Sequence, residues 1–267
     1  MDVLSMDTVE QYQVPEASVA LWWLGQASFL VKSPGGVLVA LDPYLTNSCK
    51  AVGEAYGYDM DRRVPPLMAP ADLVGIDAYV VTHSHQDHLD PDTLQGFRAA
   101  GGRARYVAPA DASEKLQALG VAPEEIEDVW PNRAVTLRDL TVRATLAIPP
   151  SRNDLTHVGY LMSVAGGPSV YFTGDTDYHE VLGECMAEDR PDVLVAVING
   201  AFRNLSAAQA ATLAKQIDPK VVIPCHHDLF PDNSLPPRIL RTNLQMHGMG
   251  DRYRELKYGV PYVYPET

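Results

Sequence analysis

The chain has 267 residues, enough for one large domain or two small ones with a sizeable core, and its 46% hydrophobic and 21% charged residues exclude broad disorder. A net charge of −13 makes it a poor partner for nucleic acid or an anionic lipid surface, while leaving room for a small anionic substrate. No apolar run approaches a membrane span, and the start, MDVLSMDTVEQYQVPEAS, lacks the apolar core of a secretory signal.

Three β-like runs come first: VALWWLG (19–25), SFLVKS (28–33) and GVLVALD (36–42), with Gly35-Gly36 as a tight turn between the second and third. Residues 43–70, rich in Pro, Gly and Tyr, read as a long loop of the kind that carries function. Tyr44, Tyr56 and Tyr58 in it are candidates to cap a pocket, with two of the three expected simply to pack. IDAYVV (76–81) reads as a buried strand, 91–101 as a helix, RYVAP (105–109) as a strand, and 112–120 as a helix ended by Gly120. AVTLRDLTVRATLAI (134–148) alternates like a strand hairpin, and VGYLMSV (158–164) with PSVYFTG (168–174) forms another around Gly166-Gly167. DVLVAVING (192–200) is a buried strand, 206–218 a helix with Ser206 as N-cap, and KVVIPCHHD (220–228) a final buried strand. Strands first, then strands mixed with helices in two similar halves, predict sheets covered by helices on the outside. Cys49, Cys185 and Cys225 form no CxxC pair and fit small buried residues in a reducing cytoplasm.

The polar clusters all follow strands, where a rigid mount lets loops converge on one cleft. In THSHQDHLD, His83 and His85 point the same way on an extended segment and can share one metal ion. Asp87 and His88, where the chain turns toward the helix at 91–101, can face a second ion nearby. Imidazole and carboxylate suit Zn²⁺, Mn²⁺ or Fe²⁺. Asp175 in YFTGDTDY follows Gly174, which permits a sharp turn, and its carboxylate can bridge two ions. IPCHHDLF puts His226 and His227 at another strand end. Arg203 and Asn204, just ahead of the helix at 206–218, are candidates for an anionic substrate group. His179 is a candidate to support Asp175 or a water, and His247 reads as structural or exposed.

HSHQDH resembles the HxHxDH signature of the metallo-β-lactamase superfamily, and Asp42 in LDPYLT, Asp175 in TGDT and His226 in IPCHH follow in that superfamily's motif order. Within it the chain is most similar to the L-ascorbate-6-phosphate lactonase branch, through WWLGQASFLVKSPGG, LDPYLT, THSHQDHLD, YFTGDTDYHE, VVIPCHHDLF and LKYGVPYVY, which span nearly the whole chain. The resemblance implies an α/β (α+β) fold in one domain over 1–267: an αββα sandwich of two mixed sheets with helices on both outer faces and metals at one edge between the sheets. It implies His83 and His85 as ligands of a first site, Asp87, His88 and His226 of a second, Asp175 as the bridge, and His227 beside the substrate. The superfamily usually supplies a third first-site histidine from mid-chain. Here ATLAIPPSRNDLTHVGY offers His157, with Asp154 and Asn153 as alternatives, so one or two divalent ions are expected, Mn²⁺ as in the lactonase branch or Zn²⁺.

The function so implied is that of a metal-dependent hydrolase. A metal-bound hydroxide oriented by Asp87 attacks a small lactone, of sugar-phosphate or other type, while His227, the metal or a water protonates the leaving alkoxide. The alternatives are a phosphodiesterase on a small phosphodiester or cyclic nucleotide, and a metal- or ligand-binding module without catalysis. The partner is a small-molecule substrate, anionic or not, rather than nucleic acid or membrane, and the superfamily often forms homo-oligomers. The chain ends soon after its YVY run, so the extra C-terminal domain of nuclease branches is not expected.

Overall fold

The computed structural model describes residues 3–149 and 156–266. A short helix, α1 (Met6–Gln11), leads into an antiparallel meander of β1 (Val19–Gly25), β2 (Ser28–Lys32) and β3 (Leu38–Leu41). Helix α2 (Cys49–Tyr56) precedes β4 (Ala78–Val80), α3 (Pro91–Ala99), β5 (Arg105–Ala108), α4 (Ala110–Ala118) and β6 (Ile126–Asp128), and β3 to β6 pair in parallel. The second half begins with β7 (Ala134–Leu137), β8 (Leu140–Leu146), β9 (Val158–Val164) and β10 (Ser169–Phe172), all antiparallel. Then come α5 (Glu180–Met186), β11 (Val193–Val197), α6 (Ala207–Ile217) and β12 (Val221–Cys225), with β10, β11 and β12 parallel. Helix α7 (Arg238–Met246) and β13 (Tyr262–Tyr264), which pairs with β1, complete the path.

Two mixed sheets result, ordered β13-β1-β2-β3-β4-β5-β6 and β12-β11-β10-β9-β8-β7. They pack face to face as the two inner layers of an αββα sandwich. Alternation along β1 makes the reason plain. Val19, Leu21 and Trp23 join the core shared with the second sheet, whereas Ala20, Trp22 and Leu24 pack with Val9 of α1, Leu94 of α3 and Leu116 of α4. With both faces covered, the strands read as continuous apolar runs. Leu182, Leu213 and Leu240 bring α5, α6 and α7 onto the second sheet. Phe29 and Phe172 meet edge to face across the inner layer, ring centroids 5.3 Å apart. Among the described residues no helix is long and apolar enough to cross a membrane.

The stretch 43–70 is not all loop, because α2 lies within it. Gly53 argues against a helix at the level of sequence, yet its missing side chain is what lets the following segment return across it: a Cβ there would lie 2.7 Å from the Tyr58 carbonyl oxygen and 2.6 Å from Met60. The helix then stops at Gly57, at φ 79°. Helices α1, α5 and α7 and strand β6 also lie where the sequence signals no element. Helices α1 and α5 run only 6 and 7 residues, too few to display a period, and α7 buries just Leu240 and Leu244. Cys185 is exposed on α5, contrary to the expectation of burial, while Cys49 and Cys225 are buried.

Candidate metal centre

Both sheets feed one edge of the sandwich. At the end of β3, Asp42 sits fully buried and accepts hydrogen bonds from the Thr82 amide (2.7 Å) and hydroxyl (2.6 Å), tying down the chain as it leaves β4. The same carboxylate lies 2.7 Å from His88 Nδ1, which fixes that ring with its Nε2 turned toward the cluster. The His88 and Leu89 amides donate back to the His85 carbonyl, closing the turn that brings His83, His85, Asp87 and His88 together before Asp90 caps α3. From the second sheet come His157 at the start of β9, Asp175 after β10 and His226 after β12. Gly174, at φ 60°, turns the chain into Asp175, and a Cβ there would stand 2.5 Å from the Val158 carbonyl oxygen.

Donor atoms of His83, His85 and His157 lie within 4.8 Å of one another, as do those of Asp87, His88 and His226 and those of His83, His88 and Asp175. The His83 ring centroid is 3.9 Å from that of His157 and 4.4 Å from that of His85. His226 Nε2 lies 3.3 Å from Asp87 Oδ2 and 3.5 Å from Asp175 Oδ1; His88 Nε2 lies 3.6 and 3.5 Å from the same two oxygens. His157 thus comes alongside His83 and His85, while its alternatives Asn153 and Asp154 lie outside the described residues.

Burial, reinforced by neighbouring histidines, holds the His83 pKa well below the usual imidazole value, so the ring stays neutral and able to donate a lone pair. Burial opposes charge on His88 too, but Asp175, Asp87 and Asp42 outweigh it and raise that pKa well above the usual value. Asp87 and Asp175 are pushed up by burial and pulled down harder by His88 and His226, ending below the usual carboxylate range. The fit of this set to a cation rests on two atoms. His88 Nε2 and Asp175 Oδ1 are buried without a hydrogen-bond partner among the described residues, 3.5 Å apart, at the point where the other donors converge. Orphaned buried polar atoms are rare in native proteins, and a divalent ion coordinated by both would account for this pair.

Nothing in the sequence marks Gln26. It occupies the turn between β1 and β2 at φ 53°, fully buried, and its side-chain amide donates to Asp87 Oδ2 (2.8 Å) and rests against His226, 3.1 Å from Nε2. Its backbone carbonyl accepts from the His226 amide (2.8 Å) and from the Trp23 indole (3.0 Å). The residue therefore couples ligands of both sheets. A buried Gln at a left-handed turn carries no sequence pattern, so only the fold discloses it.

A cavity of about 360 Å³ opens beside the cluster, its lining including His85, Asp87, Asp175 and Asn204. Asn204 donates to Asp175 Oδ2 at 2.6 Å, so the structure uses it to hold a carboxylate as well as to line the cavity. Arg203 does not line it; its guanidinium points outward to Asp177, at 2.9 Å. His227 is likewise turned away. With His226 in a left-handed conformation (φ 58°), the next ring lies against Trp23, centroids 4.7 Å apart, bonds to Asp228 at 3.0 Å and borders a different cavity beside Tyr258. Tyr44 packs, accepting from the Cys49 amide, whereas Tyr56 and Tyr58 both line the mouth, one more than expected. His179 does not support Asp175; it caps α5, accepting from the Val181 amide.

Known proteins resemble the chain in sequence and in fold. Residues 20–226 match the family model described as the beta-lactamase superfamily domain. A "Probable L-ascorbate-6-phosphate lactonase UlaG" of Salmonella heidelberg (strain SL476) is 25% identical over 296 aligned positions, covering 97% of this chain and 82% of that protein. Among solved structures, Igni18, a metallo hydrolase from the hyperthermophilic archaeon Ignicoccus hospitalis KIN4/I, superposes with a TM-score of 0.71 at 21% identity, covering 94% of this chain and 100% of that one. A "possible metal-dependent hydrolase" from Veillonella parvula DSM 2008 superposes with a TM-score of 0.74 at 15% identity, covering 91% and 98%.

Proposed function

The chain belongs to the β-lactamase superfamily and is a metal-dependent hydrolase of that superfamily, and from that premise we propose that it opens the ring of a small lactone to the hydroxy acid. The observation that carries the reading is the convergence of His83, His85, His157, Asp87, His88, Asp175 and His226 into one cluster, of which His85, Asp87 and Asp175 line the cavity. In this reading His83, His85 and His157 would hold one divalent ion and Asp87, His88 and His226 a second, with Asp175 as a further carboxylate ligand. When bound, Mn²⁺ or Zn²⁺ acidifies water and polarises a carbonyl oxygen. Asp87, steadied by Gln26, accepts the proton of the attacking water at a carboxylate oxygen. The water oxygen bonds to the acyl carbon, the ring C–O bond breaks, and the proton held on Asp87 passes to the leaving alkoxide. Relatives named as L-ascorbate-6-phosphate lactonases support a lactone as the substrate class.

Elemental analysis of the purified protein is expected to give two divalent ions per chain, one for each donor set. The loaded protein is expected to open γ- or δ-lactones with kcat/KM at least about tenfold above that for bis-p-nitrophenyl phosphate, since paired ions also suit a phosphodiester. The reverse ratio would transfer the reading to a phosphodiesterase, and tight metal binding with neither substrate turned over would leave a binding module.

The adjacent histidines separate cleanly. His226→Gln is expected to lose bound metal, whereas His227→Gln, whose ring borders the other cavity, should keep full metal content and turn over within about threefold of the parent. Metal analysis beside steady-state kinetics decides this, and a large loss of turnover in His227→Gln at full metal content would return that residue to the reaction.

A further inference from the structure

Val52, Tyr56, Tyr58 and Phe202 are among the few large apolar residues that the surface leaves exposed, at 42, 77, 43 and 47%, and all four line the mouth of the cavity over the metal centre. Such residues scattered singly need no explanation, but a group gathered around one concave opening marks a binding site. Met60 and the buried Phe230 add to the apolar lining of the same cavity. The polar lining is His85, Gln86, Asp87, Asp175, Asn204 and Asn233, so the cavity sets an apolar arm beside the reacting cluster.

The backbone at the mouth points the same way. Phe202 and Arg203 both take left-handed conformations, φ 52° and 67°, a costly state for a residue as bulky as Phe. The strain turns the Phe202 ring over the opening, where it meets Tyr58 edge to face with centroids 5.3 Å apart, and sends the neighbouring Arg203 outward to Asp177. Two separate loops thus present aromatic rings to the same opening, while the cation beside them is directed elsewhere.

We propose that the substrate is an uncharged small carbonyl compound bearing an apolar group, a short alkyl chain or an aryl ring, which lies between Tyr56, Tyr58 and Phe202 while its carbonyl meets the His/Asp cluster, and not a sugar phosphate. This rests on the reading of the cluster as the reacting centre. Straight-chain alkyl hydroxamates test it without turnover, because the hydroxamate head grips a divalent ion and the chain reports on the arm. Calorimetric titration of the metal-loaded protein with acetohydroxamate through octanohydroxamate is expected to show Kd falling about fourfold per added methylene until the arm is filled. Phe202→Ala is expected to weaken octanohydroxamate about tenfold more than acetohydroxamate. A flat series, or tighter binding of 6-phosphogluconate than of octanohydroxamate, overturns the proposal. If the series holds and no lactone of any chain length is opened, the lactone reading fails and the apolar arm stands; if lactones are opened and the series is flat, the lactone reading stands and the apolar arm fails.

Discussion

Asp87→Ala is expected to fold as the parent does and to lose roughly 10³-fold in turnover, in the range that a positioned base contributes. The side chain is on a loop after β4 and takes no part in either sheet, so little of the core depends on it. Its Oδ2 is the meeting point of three groups: Gln26 Nε2 at 2.8 Å, His226 Nε2 at 3.3 Å and His88 Nε2 at 3.6 Å. Removing it leaves two imidazoles facing an uncompensated gap and a Gln amide without its acceptor. Bound metal should therefore fall as well as turnover. Comparing metal content, circular dichroism and kcat of parent and variant separates the effects. Wild-type turnover in a folded Asp87→Ala protein would sink the assigned role, and an unfolded variant would mean that the site carries the fold.

Stripping the protein with a chelator is expected to abolish turnover and lower Tm by on the order of 10 °C, both restored by adding back Mn²⁺ or Zn²⁺. A ligand held by the native state alone, at a hundred times its Kd, stabilises by about 2.7 kcal/mol per site, and about 1 kcal/mol moves Tm by roughly 2–4 °C in a chain of this size. The structural reason is that His83, His88, Asp175 and His226 are all buried, so whatever balances their charge and lone pairs contributes in a medium that screens poorly. Because His88, whose pKa its carboxylate neighbours raise, must give up a proton to coordinate, restoration should require less metal at pH 8 than at pH 6. Differential scanning calorimetry with and without chelator reads the shift. An unchanged Tm would mean that the cluster satisfies itself internally and that the ions are weakly held.

Much of this architecture is legible in the chain. The apolar runs that become β1, β4, β11 and β12 are continuous because each is covered on both faces, and a residue pattern of that kind survives without any alignment. The proposed ligands are legible for a related reason: His83, His85, Asp87 and His88 crowd into six positions at a strand end, where polar groups are conspicuous against the valines before them. Residues whose roles depend on a turn or a partner far along the chain leave no such trace. Gln26 is a single amide in LGQASF, 61 positions from the carboxylate it holds. His227 looks equivalent to His226, and only the left-handed backbone between them shows that the two rings diverge. Arg203 beside Asn204 resembles an anion site, yet Asp177 takes the guanidinium and Asp175 the amide. Helix α2 hides behind Gly53, whose low helix propensity is offset by a close approach that no local window can register.

One sheet supplies His83, His85, Asp87 and His88 and the other His157, Asp175 and His226, so an ion held by the proposed ligands would act as a clasp between the two layers. Thermodynamic linkage then runs in both directions. An ion that grips both layers resists their sliding, and any packing defect between them raises the cost of bringing the ligands into register. A flaw at the Phe29–Phe172 contact, made of carbon alone and bearing no ligand, would be felt first as weakened metal affinity. With an ion so held, metal content would gauge how well the two layers are aligned, and loss of the ion would be an early sign of a core that has begun to loosen.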